Sequence, residues 1–127
     1  MPSKANYSDH NTVLEDLKKE IRDFVKRRKW DKFHNAKDLS EGMVIEAGEL
    51  LEHFLWKSAR ESQGYLRNQK NKDRVAAELS DLLILAFNFA DRFHLDITRS
   101  LRKKLALLER RYPAKKVFGC ARKYRPL

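Results

Sequence analysis

The chain has 127 residues and 15.1 kDa, is 42% hydrophobic and 36% charged, and carries a net charge of +10. That size predicts one domain, large enough for a core but near the range where partner subunits help. A lone cysteine, Cys120, excludes an internal disulfide, and the lack of a basic-then-apolar leader or a long apolar span predicts a cytoplasmic protein with no membrane partner.

Four glycines, three prolines and few β-branched runs predict an all-α fold. The first eleven residues are polar and are expected to be a flexible N-terminus. "TVLE", Thr12 to Glu15, has the form of a capping box, followed by Leu14, Leu17, Ile21, Phe24 and Val25 at helical spacing, so helix one is expected over about Val13 to Arg28. A connector, "KWDKFHNAK", breaks the period. "DLSE", Asp38 to Glu41, offers a second cap, opening a helix expected to reach about Lys57. "SARESQGYLRNQKNKD" has no clean period and reads as a loop with at most a short helical turn. Helix three is expected from about Lys72 to Phe93. Helix four is capped by Asp96 and stops before Pro113. The domain is therefore expected over residues 12–112, with a basic C-terminal tail over 113–127.

Basic residues crowd into "KRRK" (Lys26 to Lys29), "RSLRKK" (Arg99 to Lys104) and the tail, with Lys115, Lys116, Arg122, Lys123 and Arg125. Such a balance calls for an anionic partner or a well-solvated surface, and each cluster alone fits either.

The acids are more informative. Met43, Val44, Ala47, Leu50, Leu51, Phe54 and Leu55 gather into one sector of helix two, read as its core face, and Glu46 and Glu49 lie side by side just beyond its edge. Helix three repeats the pattern: Glu78 and Asp81 sit three apart in a segment that is apolar nearly all round. Burying an ionised carboxylate unpaired costs several kcal/mol, so these groups need Lys or Arg beside them, or a metal ion. Two acid-x-x-acid pairs facing one seam supply the hard oxygen ligands that Mg²⁺ or Mn²⁺ prefers. Glu52 reads as a surface or outlying residue; His53, a turn beyond Glu49 on the same face, is placed to touch the site but reads first as an interfacial histidine.

"WDKFHNAKDLSEGMVIEAGELLEHFLW", Trp30 to Trp56, resembles the MazG-like and dCTP pyrophosphatase group of all-α nucleoside triphosphate pyrophosphatases. "AELSDLLI" is similar to the group's second acidic element, "HLDI" to its turn into the last helix, and "KLALLERRYPAKKVFGCARKY" to its lysine-bearing helix, Tyr-Pro stop and basic ending. The resemblance spans roughly Trp30 to Tyr124. It implies a four-helix MazG-like bundle, a dimer or tetramer, that hydrolyses a (d)NTP to the monophosphate and pyrophosphate and so sanitises the nucleotide pool. It also implies Mg²⁺, with Mn²⁺ able to substitute, held by Glu46, Glu49, Glu78 and Asp81; the catalytic carboxylates would be Glu49 and Glu46, with Glu49 favoured as general base. By the same resemblance Trp30 and Trp56 flank the base, His34 lies near the entrance, and Lys57 and Lys104 meet the phosphates, with nucleic acid not required.

Some positions depart from the pattern. An asparagine common in the family's final helix is Leu108 here, and in vertebrate dCTP pyrophosphatases a base-facing histidine and a tyrosine fall on Ile21 and Leu85. The loss of these polar groups argues against assuming dCTP as substrate. The rival expectation is a basic helical nucleic-acid-binding or regulatory protein on the same scaffold without turnover.

Overall fold

The computed structural model describes residues 6–120; Arg122, Lys123 and Arg125 of the basic tail lie outside the described residues. Among those described are six α-helices, one 3-10 turn and no strand. The helices are α1 (Leu14–Arg27), α2 (Ala36–Glu52), α3 (Ala59–Tyr65), α4 (Gln69–Arg92), α5 (Ile97–Arg111) and α6 (Ala114–Val117), with the 3-10 turn at Asp31–Phe33. The all-α expectation holds. The count exceeds four because α3 and α6 are short helices without a sequence period. The backbone divides into two compact units, one ending at Phe93 and one beginning at His94.

Helix starts differ from expectation in an instructive way. Val13, in extended backbone and without a side-chain cap, precedes α1, so the capping box expected at Thr12 does not form. Thr12 lies one residue too early, and its hydroxyl donates instead to Asn11 Oδ1 at 3.1 Å, while Glu15 pairs with Lys18 and Arg22. The cap of α2 is Asn35, not Asp38. The Asn35 carboxamide accepts from the Asp38 backbone N–H at 2.9 Å and donates to the Asp38 carboxylate at 2.8 Å, so the helix starts earlier and Asp38 sits within its first turn. It also stops sooner, at Glu52 instead of Lys57. Beyond it Trp56 takes a left-handed φ of 62°, an unusual and strained conformation for a bulky residue.

The segment expected to be mainly loop contains α3, opened by a full capping box in which Ser58 and Glu61 each accept from the other's backbone N–H. Asn68 caps α4, which therefore begins at Gln69, ahead of the expected Lys72. Asp96 caps α5 as expected, accepting from the Arg99 N–H at 2.8 Å, and the helix ends before Pro113.

Within the first unit α4 packs along α2 and, more lightly, along α1. The α2–α4 pair is antiparallel: His34, just before α2, bonds Asn88 near the end of α4, whereas His53, at the end of α2, faces Glu78 in its first half. Between them α2 passes so close to α4 that a Cβ on Gly42 would lie 3.0 Å from Leu85 Cδ1. The α1–α4 contact carries a two-pronged ion pair, with Arg22 Nε donating to Asp91 Oδ2 at 2.8 Å and a second guanidinium nitrogen meeting Oδ1. Hydrogen bonds to Asp91 and Glu15 raise the already high pKa of Arg22 further.

The core is thin. Among the described residues only Val25, Leu39, Ala90 and Asn88 are buried. The expected core sector of α2 is corrected here: Val44, Ala47, Leu51 and Leu55 are exposed, and the inward stripe is Leu39, Gly42, Met43, Glu46, Leu50, His53 and Phe54. Glu46 thus stands within the packed face and not beyond its edge. Among the described residues, no helix is long and apolar enough to cross a membrane.

Candidate metal centre

Helical spacing brings Glu46 and Glu49 onto neighbouring ridges of α2, and the antiparallel packing sets Glu78 of α4 opposite them. One carboxylate oxygen from each of Glu46, Glu49 and Glu78 lies within 4.8 Å of the others. Glu46 and Glu78 are half-buried and Glu49 is exposed. Asp81, exposed one turn further along α4, falls outside that grouping yet acts on it by charge.

The electrostatics single out Glu46. Its Oε2 is buried and accepts no hydrogen bond. Burial first, and then the charges of Glu49, Asp81 and Glu78, push its carboxyl above the usual carboxylate range. A buried, unpartnered carboxylate oxygen beside two further acids is the setting a hard divalent cation relieves, and the all-oxygen donor set suits Mg²⁺ or Mn²⁺ better than softer metals. The residues present therefore fit such an ion.

Beside the acids opens a cleft of about 360 Å³ lined by Glu49, Glu52, His53, Lys57, Tyr65 and Glu78. Lys57 lies beyond the end of α2, not in its last turn, and its ammonium stands 4.9 Å from the centre of the Tyr65 ring. Glu52, expected at the surface, lines this cleft; His53 takes the second of its two expected places, beside the site, and Tyr65 is a residue that spacing along the chain did not point to. Ser58-x-x-Glu61 was the signal that could have found Tyr65, because it starts the helix that presents it.

The other expected site residues are spread more widely. His34 Nδ1 is 2.8 Å from the amide nitrogen of buried Asn88. Trp30, 45% exposed, packs edge-on against Phe24 at 5.8 Å, with Arg28 flanking both rings. Trp56 is 94% exposed and touches no ring among the described residues. Lys104 is an exposed residue of α5, in the second unit. Of the departures, Ile21 and Leu85 are half-buried in the first unit, and Leu108 is half-buried in the second.

The MazG-like family model matches residues 43–127. Rat dCTP pyrophosphatase 1 is 36% identical over 91% of this chain and 68% of its own length. The human dCTP pyrophosphatase 1 is 32% identical over 99% of this chain and 74% of its own. The crystal structure of a pyrophosphatase from Archaeoglobus fulgidus DSM 4304 superposes with a TM-score of 0.75 and 31% identity, covering 84% of this chain and 98% of that one. With the acidic elements of α2 and α4 converging on one spot, this chain belongs to the MazG-like and dCTP pyrophosphatase family.

Proposed function

We infer that the chain is a nucleoside triphosphate pyrophosphohydrolase that converts a (d)NTP and water into the monophosphate and pyrophosphate. The observation that carries this reading is the meeting of Glu46, Glu49 and Glu78 around a buried, unpartnered oxygen, in a chain whose relatives are named dCTP pyrophosphatases. Glu46, Glu49 and Glu78 would hold a divalent cation, Mg²⁺ or in its place Mn²⁺, with Asp81 as a fourth carboxylate of the set. A bound ion there would supply Lewis acidity toward phosphate oxygens and toward water. Glu49, the exposed member of the cluster, receives the proton from the attacking water as general base.

Lys57 lies within the lining of the adjoining cleft and counters phosphate charge. Trp30, before α2, and Trp56, beyond its end, are each exposed enough to stack on a base, and His34 is assigned the entrance by the family pattern. Apolar Ile21 and Leu85 offer a base no hydrogen bond, so selectivity need not follow the relatives' dCTP. The protein assembles as a homodimer or homotetramer in the cytoplasm, where it clears surplus or non-standard nucleotides, with residues 12–112 as the working domain.

Incubating the protein with each common dNTP and NTP plus Mg²⁺, followed by chromatography, tests the reading. Monophosphate and pyrophosphate in equal amounts are expected from at least one substrate. No product from any, with salt-sensitive binding of RNA or DNA instead, overturns the enzyme in favour of a binding protein.

A further inference from the structure

The residues that end α2 and α3 form a polar arm leading to one of the acids. The Tyr65 hydroxyl lies 3.0 Å from His53 Nδ1, and Nε2 of the same imidazole lies 3.7 Å from Glu78 Oε1. Both His53 and Glu78 are largely shielded, at 16% and 26% side-chain exposure. The imidazole is confined by rings: Phe54 at 6.4 Å and Tyr65 at 5.9 Å, which also meet each other edge-on at 5.9 Å. Tyr65 is itself well anchored. The Ser58–Glu61 capping box starts its helix, and Asn71 Nδ2, in the first turn of α4, donates to the Tyr65 carbonyl at 3.2 Å.

The chemistry of a neutral imidazole gives this chain a direction. A phenol donates readily, and an Nδ1 that accepts its proton carries none of its own, which leaves the ring N–H on Nε2, the nitrogen facing Glu78. The 3.7 Å gap is about 0.7 Å longer than a usual N–H···O bond, so a small side-chain adjustment closes it. One Glu78 oxygen is then held by the imidazole while the carboxylate keeps a lone pair for a cation on the side of Glu46 and Glu49.

We propose that Tyr65 and His53 are positioning residues for the metal centre: the Tyr65 hydroxyl sets the His53 tautomer, and His53 orients the Glu78 carboxylate toward the divalent cation. The inference rests on the reading of Glu46, Glu49 and Glu78 as cation ligands, and it adds α3 to the machinery of the site. Partners that orient a ligand in this way typically contribute about 10- to 100-fold to metal affinity.

The test is calorimetric titration of Mn²⁺ into the full chain and its variants, together with the long-range ¹H–¹⁵N imidazole spectrum of the metal-free protein at mildly alkaline pH. The expected results are a His53 proton on Nε2 in the parent, and an affinity about 10-fold weaker in Tyr65→Phe, which keeps the ring packing. His53→Leu should weaken binding at least as much, His53→Gln should recover part of the loss by returning a donor toward Glu78, and Tyr65→Phe should add nothing in the His53→Leu background. Equal affinity in the parent and Tyr65→Phe, a proton on Nδ1 in the parent, or additive effects in the double variant overturn the proposal while leaving the metal centre intact. A parent that binds no Mn²⁺ overturns both the proposal and the reading beneath it.

Discussion

Glu46 concentrates the conflict between folding and function in one side chain. Its buried oxygen has no hydrogen-bond partner, and its carboxyl is pushed up first by burial and then by three neighbouring acids. Glu46→Gln replaces repulsion with an amide that donates to Glu49. In metal-free buffer this variant is expected to melt higher than the parent, by the equivalent of about 1–3 kcal/mol, the usual cost of an unsatisfied buried polar atom. Adding Mg²⁺ should reverse the order, because only the parent gains binding free energy from the ion. Thermal melting with EDTA and with Mg²⁺ checks both signs. Glu49→Gln should retain the fold and lose roughly 10²- to 10⁴-fold in kcat, the range associated with a missing acid–base group, and Asp81→Asn should retain the fold and lose activity by weakening cation binding. Full pyrophosphate release by either would remove that residue from the site. The acid-x-x-acid pairs were legible in the sequence, but the standing of each member was not. Spacing alone could not say that Glu46 faces inward while Asp81 stays exposed, since that depends on how α2 rotates against α4.

At the level of elements, caps were harder to place than helices. Thr12 and Asp38 fit local rules and lost to Val13 and Asn35, because a cap is chosen by where the neighbouring helix must enter the packing. Ser58 shows the opposite case, a correct local signal in a stretch without apolar period. Ser58→Ala should cost about 1 kcal/mol, within the usual range for N-cap removal, measured by urea unfolding. Glu61 adds a pH signature. Hydrogen bonds from Ser58, backbone first and then side chain, hold its pKa below the ordinary glutamate range. A folded-state pKa below the unfolded one means its stabilisation is complete above the unfolded pKa and is lost as pH falls through the folded one. The acid-side decline in melting temperature should therefore be shallower in Glu61→Gln than in the parent. Parallel curves would show that the box carries no net charge effect.

On the scale of the whole molecule, the thin core is the leading fact. Val44 is 73% exposed, Ile45 59% and Leu51 59% on α2, while Leu83 and Ile84 on α4 are more than 40% exposed. That much apolar surface on adjoining helices is more than a small monomer ordinarily leaves in water. Light scattering with size-exclusion chromatography is expected to give a dimer or tetramer, and Val44→Glu should shift it toward monomer and lower activity together. A monomeric, fully active parent would refute the assembly.

Composition, the helical apolar spacing and the two acidic pairs were enough to determine an all-α chain with a carboxylate-rich seam, because helical periodicity and charge are properties of neighbours along the chain. Tertiary structure decided the rest. Which stripe of α2 faces α4, that Glu46 is orphaned, that His53 links Tyr65 to Glu78 and that Asn88 reaches His34 all depend on residues 12 to 54 positions apart. No local rule ranks such contacts, since their free energy comes from the close approach of separate helices and from the water they exclude.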